Sequence, residues 1–278
     1  MHSLASSLGF IALGFVTGTY GTLIGAGGGF VLMPLLLVLY PTEDPTLLTS
    51  ISLAVVFFNA ASGSEAYARM HRVDYRSGLY FALAAVPGAV IGAAVTNFVP
   101  RAVFDGIFGA MMVAGSLFLF LRKPAGDKTH SCVDPGNVRR TLTDKEGVTY
   151  EYCYRLRTGV VLSFFVGFLS SFLGIGGGII HVPALVYLLN FPVHIATATS
   201  HFILAIMALA GTMEHVVSGA FVHGIHRTIY LALGVLAGAQ VGAHLSDRIR
   251  GRRIIQSLAL ALAFAGLRIL YQAFTTAG

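Results

Sequence analysis

The stretch LIGAGGGFVLMP, residues 23–34, places four glycines within five positions between two apolar runs and ends with Pro34. A glycine-rich phosphate loop is the first interpretation of such a stretch. It fails because GxGxxG requires a glycine where Phe30 stands, and because no Lys-Ser or Lys-Thr pair follows as in a P-loop. The stretch therefore predicts a flexible hinge between apolar segments rather than a nucleotide site.

The composition indicates where this hinge lies. Of the 278 residues 55% are hydrophobic and 11% are charged, with a mean hydropathy of +0.77, whereas about 25% of residues are charged in a soluble domain. The sequence therefore predicts an all-α polytopic membrane protein, and its net charge of +6 indicates positive loops facing the cytoplasm rather than nucleic-acid binding. Apolar stretches long enough to cross a bilayer lie at 8–24, 46–68, 78–98, 102–121, 157–173, 194–218, 228–246 and 254–274.

The hinge occurs twice, because LGIGGGIIHVP at 173–183 matches IGAGGGFVLMP at 24–34 with an offset of 149 residues. Further along, LTSISLA at 48–54 faces ATSHFIL at 198–204, and PGAVIGA at 87–93 faces AGAQVGA at 237–243. Such a repeat predicts two homologous halves. They are a first transmembrane repeat at 1–121 and a second at 157–278, joined by a polar linker at 122–156.

Each half is expected to contain a Gly-rich broken or re-entrant helix pair, A and B, followed by three long transmembrane helices, C, D and E. Segment B, at 29–40 and 178–190, reaches only about 18–20 Å as a helix, so it either crosses as a short tilted helix or forms a hairpin with A. Either geometry gives inverted-topology repeats. These place fifteen Lys and Arg on one side and two, Arg101 and Arg227, on the other, whereas one continuous crossing gives 12 to 5.

This charge distribution predicts a multi-pass membrane protein with both termini extracytoplasmic and the linker cytoplasmic. The N-terminus lacks the basic region of a cleaved signal, so residues 8–24 are interpreted as a retained helix. Within the linker, Thr, Val and Tyr alternate around Asp144–Gly147, which predicts a β-hairpin at 139–154. Cys132 and Cys153 are expected to stay reduced in a cytoplasmic loop.

Two glycine hinges at membrane depth favour a transport site, because unwound backbone is tolerated there only where it is buried in protein or lines a cavity. The first amides of each segment B would then point to the centre with the positive end of the helix dipole, which favours an anion. The alternative is close helix packing of the GxxxG kind, through Gly25–Gly29 and Gly174–Gly178.

Polar side chains in the spans supply further candidates. Thr197, His201, Thr212 and His215 share one face of helix C in the second half, and Thr49, Ser52, Asn59 and Ser62 form a looser stripe in the first. The alternative is interhelical hydrogen bonding, which is common for Ser and Thr. The candidates for proton coupling are His201, His215, Glu65 and Glu214, the two glutamates lying one repeat apart. His181, Gln240 and His244 are candidates for the same cavity.

Together the paired GxGGGxxxxP motifs, LLTSISLAV, ATATSHFIL and the PGAVIGA/AGAQVGA glycines resemble the sulfite exporter TauE/SafE family over nearly the whole chain except the linker. The resemblance implies a multi-pass permease of the bacterial inner (plasma) membrane that exports sulfite, organosulfonates or related sulfur-containing anions, driven by an ion gradient. It also implies that the conserved hinge glycines and the Thr-Ser pair of the family correspond here to Gly25, Gly27, Gly28, Gly29, Thr49, Ser50, Gly174, Gly176, Gly177, Gly178, Thr199 and Ser200. The family pattern does not require His181 or His201, so these histidines are expected to tune substrate or coupling.

The leading hypothesis is therefore a secondary transporter of a small sulfur-containing anion, by alternating access around the two hinges. The alternatives are a transporter of another small organic anion, a histidine-based intramembrane transition-metal transporter, a channel and a sensor. The metal alternative has no HExxH, no CxxC and no His-x-His pair within a span to support it. No enzyme activity, cofactor or metal is predicted, and the oligomeric state is left open, including a homodimer.

Overall fold

The fold is known from a computed structural model that describes residues 4–121, 137–246 and 251–276. The first half contains helices α1 (Leu4–Ile24), α2 (Gly29–Leu39), α3 (Pro45–Arg69), α4 (Tyr75–Thr96) and α5 (Arg101–Leu121). The strands β1 (Asn137–Thr143) and β2 (Thr149–Arg155) follow. The second half contains α6 (Leu156–Leu173), α7 (Gly178–Leu188), α8 (Val193–Val217), a short 3-10 helix at Val222–Gly224, α9 (Ile225–Ser246) and α10 (Gly251–Thr276).

Seven helices within the described residues are long and apolar enough to cross a membrane. They are α1, α3, α4, α5, α6, α8 and α9, and each overlaps one of the apolar stretches expected from the sequence. The expectation of an all-α polytopic membrane protein is confirmed. Helices α2 and α7 have 11 residues each and are too short for an ordinary crossing.

Each short helix is separated from the long helix before it by a break at the glycines. Helix α1 ends at Ile24 and α2 begins at Gly29, while α6 ends at Leu173 and α7 begins at Gly178. We call residues 25–28 the first hinge and residues 174–177 the second hinge. The broken helix pair that the glycine pattern predicts is therefore present in both halves.

Helix C of the two halves has a different register from the one expected. Helices α3 and α8 begin at Pro45 and Val193 and end at Arg69 and Val217, so both ends are 148 residues apart. The sequence match of LTSISLA with ATSHFIL, with an offset of 150, is therefore wrong by two residues. The match follows identical Thr-Ser letters, whereas contact with the hinge fixes the helix position: Thr49 lies beside Gly174, and Thr197 lies beside Gly25.

The corrected register changes which residues are equivalent in the two halves. Ser52 corresponds to Ser200, and Asn59 corresponds to Met207. The expected pairing of Glu65 with Glu214 is also wrong, because Met213 occupies the position that corresponds to Glu65. For α4 and α9 the expected offset of 150 agrees with their bounds, Tyr75–Thr96 and Ile225–Ser246.

Helices of one half pack mainly against helices of the other, and the pairing is reciprocal. Helix α1 packs on α9 as α6 packs on α4, and α3 packs on α9 as α8 packs on α4, while α3 packs on α8 and α5 packs on α10. Glycines permit the closest contacts, for example where Gly88 of α4 faces the carbonyl oxygen of Phe164 and Gly238 of α9 faces that of Phe15. The core therefore depends on both halves.

Equivalent loops of the two halves lie at opposite ends of α4, which is about 33 Å long. The α2–α3 loop meets the C-terminal end, where the Arg101 guanidinium donates to the carbonyl oxygen of Glu43 at 2.7 Å. The α7–α8 loop meets the N-terminal end, where the Phe191 ring lies 6.3 Å from that of Phe81. Inverted repeats predict this placement, although the orientation in a bilayer stays a prediction.

The two strands form an antiparallel hairpin around the turn at Asp144–Gly147, with Asn137 opposite Arg155. Tyr152 and Tyr154 of β2 are buried against α4 and the α7–α8 loop. Cys153 is disulfide-bonded in the structure, which differs from the expectation of reduced cysteines. Cys132 and the rest of the linker at 122–136 lie outside the described residues.

Candidate functional site

Both hinges have the same backbone conformation. Gly25, Gly27 and Gly28 have φ angles of 85°, 76° and 77°, and Gly174, Gly176 and Gly177 have φ angles of 67°, 81° and 68°. These left-handed conformations are readily adopted by glycine and are strained for a branched side chain. The spacing of the glycines in the sequence is therefore explained by the backbone path.

The two hinges contact each other at the centre of the molecule. A Cβ atom on Gly29 would lie 2.7 Å from the carbonyl oxygen of Ile175, and one on Gly178 would lie 2.6 Å from Cα of Ala26. Both distances are shorter than real Cβ contacts, so neither position accepts a side chain without a shift of backbone. The glycines at the start of α2 and α7 therefore bring the N-terminal ends of the two short helices together.

The first amides of α2 and α7 lack acceptors within their own helices, as at every helix start. Amides of Val31 and Leu32 already donate to the carbonyl oxygen of Gly28, and those of Ile180 and His181 to that of Gly177. Gly29 and Gly178 are buried, as are all eight hinge residues. The positive ends of two helix dipoles therefore meet in a region that is closed to solvent.

Helices α3 and α8 hold the hinges reciprocally through equivalent serines. The Ser52 hydroxyl donates to the carbonyl oxygen of Gly174 at 2.5 Å, and the Ser200 hydroxyl donates to that of Gly25 at 3.4 Å. Each hinge is therefore attached to the long helix of the other half. A movement of α3 or α8 would be transmitted directly to the opposite hinge.

A polar cluster surrounds the first hinge. The Thr22 hydroxyl donates to Asn59 Oδ1 at 3.2 Å, and the Tyr67 hydroxyl donates to the carbonyl oxygen of Thr22 at 2.8 Å. The His201 ring lies edge-on to Tyr67, with 5.5 Å between centroids. The Asn59 amide nitrogen is 3.8 Å from where a Cβ on Gly28 would lie. Thr22, Asn59, Tyr67 and His201 thus form one buried group, which we call the first-hinge cluster.

Two nitrogen atoms of this cluster have no hydrogen-bond partner within the part of the chain that the structure describes. They are Asn59 Nδ2 and His201 Nε2, and both side chains are fully buried. Leaving a buried polar group unpaired costs about 1–3 kcal/mol, so such groups indicate a position for a ligand or an ordered water. His201 Nδ1 lies 3.3 Å from the carbonyl oxygen of Thr197, which only accepts, so Nδ1 carries a hydrogen and Nε2 is free to bind a proton.

The second hinge has a different set of neighbours. The position equivalent to Asn59 is Met207, whose methyl group packs on Gly177, and the position equivalent to His201 is Leu53. The position equivalent to Tyr67 is His215. Hydroxyl oxygens of Ser170 and Ser171 and both ring nitrogens of His215 lack hydrogen-bond partners among the described residues. The two half-sites therefore share a backbone but not a set of donors.

An apolar cavity of about 260 Å³ adjoins the second hinge. Its wall contains Ile175 of the hinge and Ile179 and Ile180 of α7, facing Met111 and Met112 of α5. The described residues that line this cavity include no member of the first-hinge cluster. Within the described residues, the second hinge thus has an apolar flank.

Several predicted candidates already have partners. The Thr49 and Ser50 hydroxyls donate to carbonyl oxygens of their own helix at 2.8 and 2.7 Å. The Thr199 hydroxyl accepts from the backbone amide of Asp74 at 3.0 Å, and His181 Nε2 lies 3.1 Å from the Ser163 hydroxyl. The amide group of Gln240 donates to Ser62 at 2.9 Å. The Thr49 and Ser50 contacts lie within α3, whereas the other contacts link separate elements.

The acidic candidates lie in different environments. The Glu65 side chain is 57% exposed and pairs with Arg69 one turn later. Glu214 Oε2 lies 3.4 Å from Nδ1 of the fully buried His215, within ion-pair distance but without the alignment of a hydrogen bond. His244 is exposed. Of the coupling candidates, His201 is the one that joins the first-hinge cluster.

Sequence reasoning missed four residues around the hinges: Thr22, Tyr67, Ser170 and Ser171. The correspondence of Thr22 with Ser171 across the repeat was a usable signal, because it places a hydroxyl before each hinge. Tyr67 had no such signal, since its equivalent is His215. Among the described residues, no group of three or more His, Cys, Asp or Glu side chains is placed to hold a metal ion.

Comparisons with known proteins agree with this architecture. The family described as Sulfite exporter TauE/SafE matches residues 10–269. Probable membrane transporter protein YunE of Bacillus subtilis is 34% identical over 270 residues, covering 94% of this chain and 96% of that protein. A probable membrane transporter protein of Methanocaldococcus jannaschii is 22% identical over 272 residues, covering 94% of each chain. No solved structure matches.

Proposed function

Since the chain belongs to the sulfite exporter TauE/SafE family and is a membrane transporter rather than an enzyme, we propose that it exports a small sulfur-containing anion. Sulfite is the substrate that the family description favours, and an organosulfonate is a related candidate. Transport proceeds by alternating access around the two hinges, in the bacterial inner membrane, with the linker in the cytoplasm. The oligomeric state is not part of this proposal.

The first-hinge cluster supports an anion site in particular. Asn59 Nδ2 is an unpartnered donor among the described residues, and it is fully buried beside the start of α2. The helix start adds free amides and the positive end of a dipole. An oxyanion that accepts from Asn59 and from the first amides of α2 would satisfy all of these groups at once. This unpartnered amide is the single observation that carries the proposal.

His201 supports coupling of the anion to a proton. Its Nε2 atom has no partner within the described residues, and its Nδ1 atom is held by the Thr197 carbonyl oxygen. Protonation at Nε2 would create a positive donor beside the anion and would neutralise part of the charge that crosses the membrane. The proton and the anion would therefore bind together. His215 and Glu214 form a second candidate pair for the same role.

The closed state of the structure is compatible with alternating access. All hinge residues are buried, and each hinge is attached through Ser52 or Ser200 to the long helix of the other half. Release of one attachment would open one end while the other stays closed. The repeated hinge therefore supplies two equivalent movements at opposite ends of the molecule.

A second candidate function is transport of another small organic anion, such as a carboxylate. The apolar cavity beside Ile175 favours it, because a substrate with an apolar substituent would find a matching surface near the second hinge. The amide, hydroxyl and imidazole groups of the first-hinge cluster do not discriminate strongly between a sulfonate and a carboxylate. The choice between these anions is decided by a binding experiment.

The experiment is thermal stabilisation of the detergent-purified protein by sulfite, thiosulfate, sulfate, sulfoacetate, taurine and small carboxylates, with Zn²⁺ and Ni²⁺ alongside. A ligand that binds only the native state raises the melting temperature once its concentration passes Kd. We expect selective stabilisation by one sulfur oxyanion or sulfonate. Stabilisation by a carboxylate alone would support the second candidate, and stabilisation by a metal alone would contradict both.

The matched variants are Asn59→Leu and Met207→Leu, which alter equivalent positions of the two halves. Asn59→Leu removes the unpartnered donor, and loss of a hydrogen bond to a charged ligand, about 1.5–3 kcal/mol, weakens binding at least tenfold. Met207→Leu keeps the volume and the apolar character, so the affinity should stay within about twofold of that of the unaltered protein. If the two variants bind the anion with equal affinity, the anion does not bind at the first hinge.

A further inference from the structure

The β1–β2 hairpin is attached to both halves of the protein at the same end. Arg140 of β1 donates two hydrogen bonds to Asp74, from Nε at 3.1 Å and from Nη2 at 2.5 Å. The Tyr152 hydroxyl of β2 donates to the same carboxylate at 2.8 Å. Asp74 is only 2% exposed and caps the start of α4 in the first half. The hairpin thus places a charged and an aromatic side chain against one buried carboxylate.

Further contacts fix the hairpin to the α3–α4 loop. Arg72 and Asp144 form a buried ion pair at 3.5 Å, and the backbone amide of Lys145 donates to the carbonyl oxygen of Met70 at 3.0 Å. The Tyr154 hydroxyl lies 2.5 Å from that of Ser77 in the first turn of α4. The contacts involve both strands and the turn, so the hairpin docks as a unit.

The second half is held through the α7–α8 loop. The Phe191 ring packs between Tyr152, with 4.4 Å between centroids, and Tyr154, with 5.2 Å. The Asn190 amide donates to the carbonyl oxygen of Cys153 at 3.4 Å. The loop connects α7, which begins at the second hinge, to α8, which carries His201. The hairpin therefore holds the segment through which the second hinge and the first-hinge cluster are joined.

Asp74 also contacts α8 directly. Its backbone amide donates to the Thr199 hydroxyl at 3.0 Å, two residues before His201. Asp74 accepts from the hairpin with its side chain and donates to α8 with its backbone, so one residue connects the hairpin to the helix of the candidate site. Burial alone would raise the pKa of Asp74, but hydrogen bonds from Arg140, Ser77 and Tyr152 outweigh it and lower the pKa, so the carboxylate stays charged.

The other end of the molecule has no second copy of this arrangement among the described residues. The position that corresponds to Asp74 is Gly224, which packs on Ile51, and the chain between α8 and α9 contains only a turn and a short 3-10 helix. The hairpin lies between the two repeats in the sequence and occurs once. Its effect is therefore confined to one end.

We propose that the hairpin is a latch that must undock from Asp74 and Phe191 before this end of the transporter opens. The inference rests on the proposed alternating access but not on the identity of the anion. While the hairpin is docked, α4 of the first half and the α7–α8 loop of the second are held together at this end. Undocking releases α8 and lets the end open, and it provides a point where a signal on this side of the membrane can control transport.

The test is hydrogen–deuterium exchange of the full-length protein in detergent, without any substrate. Arg140→Ala removes the charged partner of a buried carboxylate, so the latch should loosen. We expect amide exchange in 189–199 and 70–78 to become roughly tenfold faster, since hydrogen bonds to a charged group contribute to holding both segments closed. The matched control is Arg139→Ala on the outer face, where Arg139 is 65% exposed and pairs with Glu151, and it should change neither segment.

Tyr152→Phe is the milder second variant, for use where Arg140→Ala yields too little folded protein. It removes one hydrogen bond to Asp74 and keeps the packing on Phe191, so the same two segments should exchange roughly threefold faster. Faster exchange in 137–155 with unchanged exchange in 189–199 would overturn the latch, because the hairpin would then undock without freeing the second half. Because no anion is added, this result is independent of whether the anion proposal holds.

Discussion

The two hinges have nearly the same backbone but different surroundings. The first hinge is bordered by Asn59, Tyr67 and His201, whereas the equivalent positions at the second hinge are Met207, His215 and Leu53. The repeated glycines therefore encode the path of the chain, and the side chains that approach it from α3 and α8 encode the chemistry. Among the described residues, the duplicated sequence has given two half-sites with different unpartnered groups: an Asn59 and a His201 nitrogen at the first hinge, and Ser170, Ser171 and His215 beside an apolar flank at the second.

The ends of the short helices differ in the same way. Beyond α2, Arg227 binds Glu43 through two hydrogen bonds at 2.6 and 2.7 Å and lies 4.0 Å from the centre of the Tyr40 ring. Beyond α7, the equivalent loop is held by the aromatic side chains of the inserted hairpin. One end is therefore closed by groups within the bundle and the other by a separate element, so the two ends are expected to open under different conditions.

The largest expected effect comes from a branched side chain in a hinge. Gly28→Val and Gly177→Val should each abolish sulfite flux in proteoliposomes while leaving some folded protein, because valine strains a left-handed backbone and blocks the approach to the amides of the short helix. Normal flux in both variants would exclude the hinges from the transport path.

Alanine at the same two positions compares the surroundings of the hinges. A Cβ on Gly28 would lie 2.9 Å from the carbonyl oxygen of Thr17, which belongs to a helix backbone, whereas one on Gly177 would meet the side chains of Met207 and Ser170. Side chains move at lower cost than backbone, so Gly28→Ala should lower the melting temperature more than Gly177→Ala. Equal shifts would mean that strain at φ alone decides the cost, about 1–2 kcal/mol at each site.

A smaller effect is expected from the histidine that distinguishes the two half-sites. His201→Gln should reduce the acceleration of sulfite flux by an imposed proton gradient, because glutamine keeps a polar group of similar size but takes up no proton. The matched control is His181→Gln on α7, since His181 already has Ser163 as a partner. If the proton dependence of flux is unchanged in His201→Gln, or is reduced equally in both variants, His201 has a structural role rather than a role in proton coupling.

Much of the fold follows from composition and repetition, because apolar length and duplicated glycines are local properties of the sequence. The breaks at 25–28 and 174–177 and the short helices after them are where the glycine pattern predicts them. The register of α3 against α8 is not local. It depends on which side chain rests on a hinge glycine from the other half, and this is why the Thr-Ser match misplaced Thr49 and Ser50 against Thr199 and Ser200.

The candidate site was predictable in part for the same reason. Glycines at 25, 27 and 28 and the polar positions Asn59 and His201 stand out in an apolar sequence, but their mutual contact through Thr22 and Tyr67 requires the fold. Gln240 of α9 is equally polar, but its side chain donates to Ser62 of α3 and so links the two helices. Polarity in a span identifies a residue with a buried partner, and only the packing shows whether that partner is another helix or a ligand.

The smallest expected effect concerns the hairpin at neutral pH. The pKa of Asp74 is lowered from its ordinary value of 3.8, and burial raises the pKa of Tyr152 above its ordinary value of 10.0. A carboxylate with a lowered pKa stabilises the docked form fully above 3.8, and this stabilisation is lost only as the pH falls below it. Hydrogen exchange in 189–199, corrected for the intrinsic pH dependence of exchange, should therefore be constant between about pH 5 and 9.

Docking that weakened on mild acidification would point to a group other than Asp74. The groups that face its carboxylate are Arg140, Tyr152 and Ser77, and none of them changes charge in that range. In the neutral range, the proton dependence of transport should come from the first-hinge cluster and from the Glu214–His215 pair, not from the hairpin. Loss of that dependence in Arg140→Ala, with His201 intact, would show that the two ends of the transporter are not controlled separately.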